Sequence, residues 1–158
     1  MREILFRGKC KEIGEWVEGS LIVDERGNCY IGQYIPREKS VTISSGRAIG
    51  KTLNRFVGIG FVMVDKNTVG QYTGLTGKNG KKIFEGDIIL FEDESPSNYE
   101  YHDCTEMRCG EMRFDDGEFY LTNRIAVQMG DLIYDGKLDG TIVGNVHDNP
   151  ELLEQDNR

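Results

Sequence analysis

Residues 68–90, TVGQYTGLTGKNGKKIFEGDIIL, constrain the fold of this chain more than any other stretch. Two runs carrying apolar residues flank Asn79-Gly80, the preferred pair for a two-residue type I′ hairpin turn, because both central positions need positive φ and Asn and Gly adopt it with least strain. Lys78, Lys81 and Lys82 then form the solvated tip. Just downstream, Ile83-Phe84 and Ile88-Ile89-Leu90 lie on either side of Glu85-Gly86-Asp87, which predicts a strand, a tight turn and a long strand. Asp87 is placed to hold that turn by accepting backbone N–H groups, so its carboxylate needs no catalytic explanation. Gly74-Leu75-Thr76-Gly77-Lys78 invites a phosphate-loop reading, but the spacing G-x-x-x-x-G-K-[ST] is absent, and a hairpin stands where the loop's helix would start.

The rest of the chain repeats this grammar. Twenty glycines against three prolines, with 38% hydrophobic residues, point to many short strands joined by tight turns in an ordered protein. Residues 2–7 read as a first strand stopped by Gly8, and residues 15–23 and 29–35 as a hairpin around the polar turn 24–28. Residues 37–52 are expected to be a long loop or a ragged strand pair, and residues 53–64 a buried strand. Residues 92–106 are acidic and contain Pro96, which predicts an exposed excursion. Asp115-Asp116-Gly117 signals a second hairpin between 107–114 and 118–122. Residues 123–138 fit a helical turn or another strand equally well, and Asp139-Gly140 opens a closing strand over 141–146. Asn149 suits a helix N-cap and Pro150 the first helical position, which places a short helix over 150–158 that must dock or fray. The expected architecture is mainly β, with an N-terminal meander (1–66) packed with a C-terminal SH3-like small barrel (67–158) and a short C-terminal helix. At 158 residues it is expected to fold as one cooperative unit.

A net charge of −8, from 27 acidic and 19 basic residues, opposes a polyanionic partner and disfavours general nucleic-acid affinity. No apolar run approaches signal-peptide or membrane-spanning length, so a cytoplasmic protein with reduced Cys10, Cys29, Cys104 and Cys109 is expected.

The chemistry candidates are weak. His102-Asp103-Cys104 and Cys109 lack the paired spacing of zinc sites, and two ordinary thiols with a surface imidazole is the favoured reading, with no metal. His147 beside Asp148 has no partner nucleophile signature, and neighbours in a strand or turn point apart, so no catalytic residue is assigned. Lys81, Lys82, Arg113 and Arg124 with Phe84, Phe119 and Tyr120 would make a small nucleic-acid face only if packing gathered them on one side. An aromatic core with solvated basic ends is favoured over it.

Several blocks resemble the YopX-like family of phage and prophage proteins: Gln71-Tyr72-Thr73-Gly74-Leu75, Asn79-Gly80, Ile83-Phe84-Glu85-Gly86-Asp87, Ile142-Val143-Gly144-Asn145 and Asn149-Pro150-Glu151-Leu152-Leu153. The likeness runs nearly end to end. The resemblance implies a mainly β architecture and a phage origin within a host bacterial cell, and brings no activity, cofactor or catalytic residue with it. Gly74, Asn79, Gly80, Glu85, Gly86, Asp87, Asn149 and Pro150 are therefore expected to be structural. The functional expectation is a non-enzymatic accessory protein, without a cofactor, that engages a host or phage protein through loops and an exposed strand edge. Nucleic-acid association is the alternative, and self-association is admitted.

Overall fold

A computed structural model describes residues 3–35, 58–94, 105–124 and 127–154. The chain divides into two compact units, residues 3–71 and 72–158, and the division falls inside a strand rather than in front of it at residue 66.

The first unit is an antiparallel meander of β1 (Phe6–Lys9), β2 (Trp16–Val23), β3 (Cys29–Ile35) and β4 (Gly58–Val64). The opening residues of β5 (Gly70–Thr76) pair with the free side of β1, Phe6 opposite Gln71 and Arg7 opposite Gly70. The β2–β3 turn forms where the polar run predicts it, with Val23 opposite Cys29. Asp24 builds this turn: one carboxylate oxygen accepts the N–H groups of Arg26 (2.9 Å) and Asn28 (2.8 Å), and the other accepts the Asn28 side-chain amide (2.8 Å) and the Tyr30 hydroxyl (3.3 Å). Gly27 supplies the positive φ of 77° that closes it. Bonds to Asn28, first its side chain and then its backbone, hold the Asp24 carboxyl below its ordinary value of 3.8.

Cross-strand register sorts the sheet's two faces. Leu21, Ile31 and Val62 share one row, and Val23, Cys29 and Val64 the next on the same face, where Ile31 and Val64 are buried with Cys10. The opposite face carries Ser20, Gly32 and Phe61, then Ile22, Tyr30 and Met63. The expected buried strand at 53–64 is thus corrected. From Gly58 it is a one-sided strand, with Val64 buried and Phe61 and Met63 exposed, because successive side chains alternate between the two faces of the pleat and the face bearing Phe61 and Met63 is exposed. Residues 53–57 and the loop expected at 37–52 lie outside the described residues.

The second unit contains the remainder of β5 with β6 (Lys82–Phe84), β7 (Asp87–Glu94), β8 (Thr105–Asp115), β9 (Glu118–Leu121), β10 (Ile133–Tyr134), β11 (Lys137–Leu138), β12 (Gly140–Asn145) and α1 (Glu151–Glu154). An antiparallel sheet runs β12-β7-β8-β9. β5 pairs with β6 on one side and in parallel with β11, which forms a small hairpin with β10. Ile83, Ile89, Phe91, Met112, Leu121, Leu132 and Leu138 make the core. The mainly β class and the short helix are as expected, while no ladder among the described residues joins β12-β7-β8-β9 to β6-β5-β11-β10 into a closed barrel.

Local turn chemistry explains most connections. Glu85-Gly86 links β6 to β7: Gly86 takes φ 82°, and the buried Asp87 carboxylate accepts the Phe84 N–H at 2.8 Å. The type I′ geometry expected at Asn79-Gly80 is not formed, since only Gly80 (φ 74°) has positive φ. Instead Gly77 accepts the N–H of Gly80 and donates to Lys81, giving a three-residue loop of Lys78, Asn79 and Gly80, with the Asn79 side chain accepting the Lys81 N–H. Type I′ geometry appears at Asp116-Gly117 (φ 48° and 88°), as the Asp-Gly signal suggests, and again at Asp135-Gly136 (φ 50° and 71°), where it resolves the ambiguous 123–138 stretch into the β10–β11 hairpin.

The acidic excursion is also corrected at its start. Glu92 and Asp93 continue β7, and Asp93 is wholly buried, accepting the Val127 N–H at 2.9 Å with Arg108 Nε 3.6 Å away. A buried carboxylate persists only with such donors and counter-charge. Residues 95–104 lie outside the described residues. At the C-terminus, Gly144 admits the helix: a Cβ there would stand 2.8 Å from Asn149 Oδ1 and 2.9 Å from Leu152 Cδ1. The Asn149 and Pro150 carbonyls take up the N–H groups of Leu152 and Leu153. Residues 155–158 of the expected helix fall outside the described set.

Two outcomes follow from these turns. Asp87→Ala leaves the buried Phe84 N–H without its acceptor and should lower unfolding stability by about 2 kcal/mol in urea titration; an unchanged midpoint would mean the carboxylate does not hold the turn. Because Asp24 has a depressed pKa, its stabilisation is present above the unfolded value of 3.8 and lost as pH falls through the lower folded value. Asp24→Ala should therefore destabilise at pH 7, with the gap from wild type closing below about pH 4. A gap independent of pH would contradict that role.

Candidate functional site

Most residues singled out in the sequence lie in turns, strands and the entry to the terminal helix. Gly74 (φ 89°) sits in β5 at a register shift against β6, where the Leu75 N–H turns back to the Thr73 hydroxyl, so the stretch is an irregular strand with no helix behind it. Asn79 and Gly80 form the hairpin tip, Glu85, Gly86 and Asp87 the β6–β7 turn, and Asn149 and Pro150 the entry to α1. His147 is exposed and donates its backbone N–H to Asn145 Oδ1 at 3.0 Å. His102, Asp103 and Cys104 lie outside the described residues, and Cys109 is a half-buried free thiol in β8. Among the described residues, no group of three His, Cys, Asp or Glu side chains could hold a metal ion, and no helix is long and apolar enough to cross a membrane.

The basic and aromatic residues do not gather into a free cationic face. Arg113 pairs with Glu111 at 2.6 Å, which raises its pKa through that hydrogen bond and charge. Arg124 donates to the Leu121 carbonyl at 2.9 Å, Lys82 lies over the Tyr72 ring, and Phe84 is buried. Lys78 pairs with Asp139, whose hydrogen bond and charge raise the lysine's pKa.

The feature with no structural purpose of its own is the outer edge and face of β4. Its sequence, GIGFVMV, contains no charge and no proline, the devices by which exposed edges normally resist further pairing. On one side β4 pairs with β3 along its whole length. On the other, the described residues provide contacts only at its C-terminal end, where Lys11 donates to the Met63 carbonyl (3.2 Å), Asp65 donates to the Lys9 carbonyl (2.9 Å), and Cys10 bridges Val64. The edge is therefore unpaired from Gly58 to Val62 among the described residues.

The adjoining face is apolar. Phe61 (38% exposed), Met63 (40%) and Ile22 (44%) share it, with Tyr30 between Ile22 and Met63. Gly32 makes room for the Phe61 ring, since a Cβ at Gly32 would stand 2.9 Å from a ring carbon. Tyr30 is anchored by its hydroxyl to Asp24, and desolvation first, then the Asp24 charge, raise its pKa. Such an array can do no bond chemistry. It offers backbone donors and acceptors along one line and apolar side chains at alternate positions beside it, the two elements of strand addition. The strand pattern showed in the sequence, but which of its side chains would be exposed depended on which face of the sheet is covered.

Comparison with known proteins bears on the whole chain. No curated protein matches it. The crystal structure of protein EF1440 from Enterococcus faecalis aligns over 97% of this chain and 99% of its own, with TM-score 0.53 and 21% identity, a likeness of fold. The family described as YopX protein matches residues 5–154, a span that takes in the meander, the Glu85-Gly86-Asp87 turn and the terminal helix, and on that match the chain belongs to the YopX family.

Proposed function

We propose that this protein is a phage- or prophage-encoded accessory module, without catalytic activity, that binds a host or phage protein by accepting an extended segment along β4. The observation that carries this reading is the uncharged edge of β4, unpaired from Gly58 to Val62 among the described residues, beside exposed Phe61, Met63 and Ile22. An added strand would satisfy the edge's backbone groups, and alternate side chains of that strand would cover the apolar face. Burying a patch of this kind is favourable at roughly 25 cal/mol per Å² before the cost of association, so affinity depends on the apolar contacts as well as the backbone ladder. The acidic balance of the chain suits a partner segment with basic flanks. A cytoplasmic location in the bacterial host accompanies this reading.

The test is affinity capture from phage-infected cells with the wild-type chain and with a Phe61→Asp, Met63→Lys double variant. Both positions are exposed, so the fold should persist by circular dichroism. A protein retained by wild type and reduced at least about tenfold by the variant is the expected result. A partner retained equally by both would place binding elsewhere on the molecule.

A further inference from the structure

The residues 3–71 unit also holds a cleft of about 330 Å³ at the C-terminal end of β4, lined by Lys11, Arg26, Asn28, Cys29, Asp65 and Lys66 among others. Three of these are cations and one is a carboxylate. Neither Lys11, Arg26 nor Lys66 has an ion-pair partner among the described residues.

The cations are presented by rigid backbone. Arg26 stands in the β2–β3 turn, where Asp24 holds the Arg26 N–H, Asn28 and Tyr30 and the neighbouring Glu25 is exposed. Lys66 opens the single 3₁₀ turn Lys66–Thr68, where Asp65 caps by accepting the Asn67 N–H at 3.0 Å. The buried Thr68 fastens that turn, donating its hydroxyl to the Asp65 carbonyl (2.7 Å) and accepting the Lys9 N–H (2.8 Å). Lys11 is fixed at its backbone by the bond to Met63. The acid of the described lining, Asp65, accepts the Asn67 N–H through one oxygen, and three exposed cations border a polar space.

We propose that this cleft binds a small phosphate monoester, with Arg26, Lys11 and Lys66 around the phosphate. A planar guanidinium donates in a fork to two phosphate oxygens, and two flexible ammonium groups suit the remaining charge of a dianion. Among the described residues of the lining, Val64 and Cys29 are the clearly apolar side chains and none is an aromatic that could stack a base. A compact polar phosphate such as a sugar or glycerol phosphate fits better than a nucleotide.

The experiment titrates ¹⁵N-labelled protein with inorganic phosphate, glycerol 3-phosphate and adenosine monophosphate in turn, and follows the amide resonances of Asn28, Lys66 and Asn67. Saturable shifts confined to these amides are expected with glycerol 3-phosphate. Inorganic phosphate should bind more weakly, and adenosine monophosphate no better than glycerol 3-phosphate. Arg26→Gln and Lys66→Gln should each weaken binding roughly tenfold, whereas Lys137→Gln, an exposed cation in the other unit, should leave it unchanged. Shifts that never saturate, or equal weakening by Lys137→Gln, would show general charge attraction and overturn the site. Tighter binding of adenosine monophosphate would overturn the ligand class. The titration is independent of partner capture by β4, so either proposal can fail alone.

Discussion

A buried carboxylate sets the geometry of the second unit. Asp87 begins β7 and reaches back to the Phe84 N–H, so that Gly86 can swing through positive φ and deliver Ile88, Ile89 and Phe91 into the core. Gly86 is itself held on both sides, donating to the Met112 carbonyl and accepting the Val146 N–H. One turn therefore fixes the starts of β7, the path of β8 and the exit of β12 together. An unpaired buried carboxylate would be severely unfavourable, so the turn forms with these bonds or not at all. Asp24 performs the same service in the first unit from a half-buried position, where its worth is set by hydrogen bonds to the turn.

These turns were legible in the sequence because their chemistry is local. Asp-Gly at 116–117, Glu85-Gly86-Asp87 and the polar run at 24–28 each act within a few residues, and no distant contact competes with them. Asn79-Gly80 failed as a two-residue turn for the opposite reason. Lys78 is drawn away by tertiary partners, its N–H to the Gly140 carbonyl at 2.9 Å and its ammonium to Asp139, and the loop widens to suit them. Asp135-Gly136 carried a usable hairpin signal, but strands of two residues on either side are too short to show alternation. Asp93 was hidden for a related reason: in an acidic run nothing marks which carboxylate will meet Arg108 and the Val127 N–H.

The candidate site was legible only in part. An exposed strand edge was foreseeable in a chain of many short strands, yet the sequence could not name it. GIGFVMV reads as interior, and its register with β3 puts Phe61 and Met63 on the exposed face of the sheet and Val64 on the buried one. The basic cleft was still less visible, since Lys11, Arg26 and Lys66 are scattered and come together through the pairing of β2, β3 and β4. In both places the scaffold's residues are satisfied among themselves and the remaining groups point outward. On the proposed reading, the turns specify the fold and the β4 edge, unpaired from Gly58 to Val62 among the described residues, meets the partner.

Amide hydrogen exchange along β4 in the free protein addresses the central claim most directly. If the outer edge is open, alternate amides between Gly58 and Val62 face β3 and should be protected, while those between them exchange at close to the rate of unstructured chain. Addition of the partner should then slow the fast set without altering the slow one. Uniform protection of all these amides in the free protein would show that the edge is already covered, and would contradict strand addition as the way this protein binds.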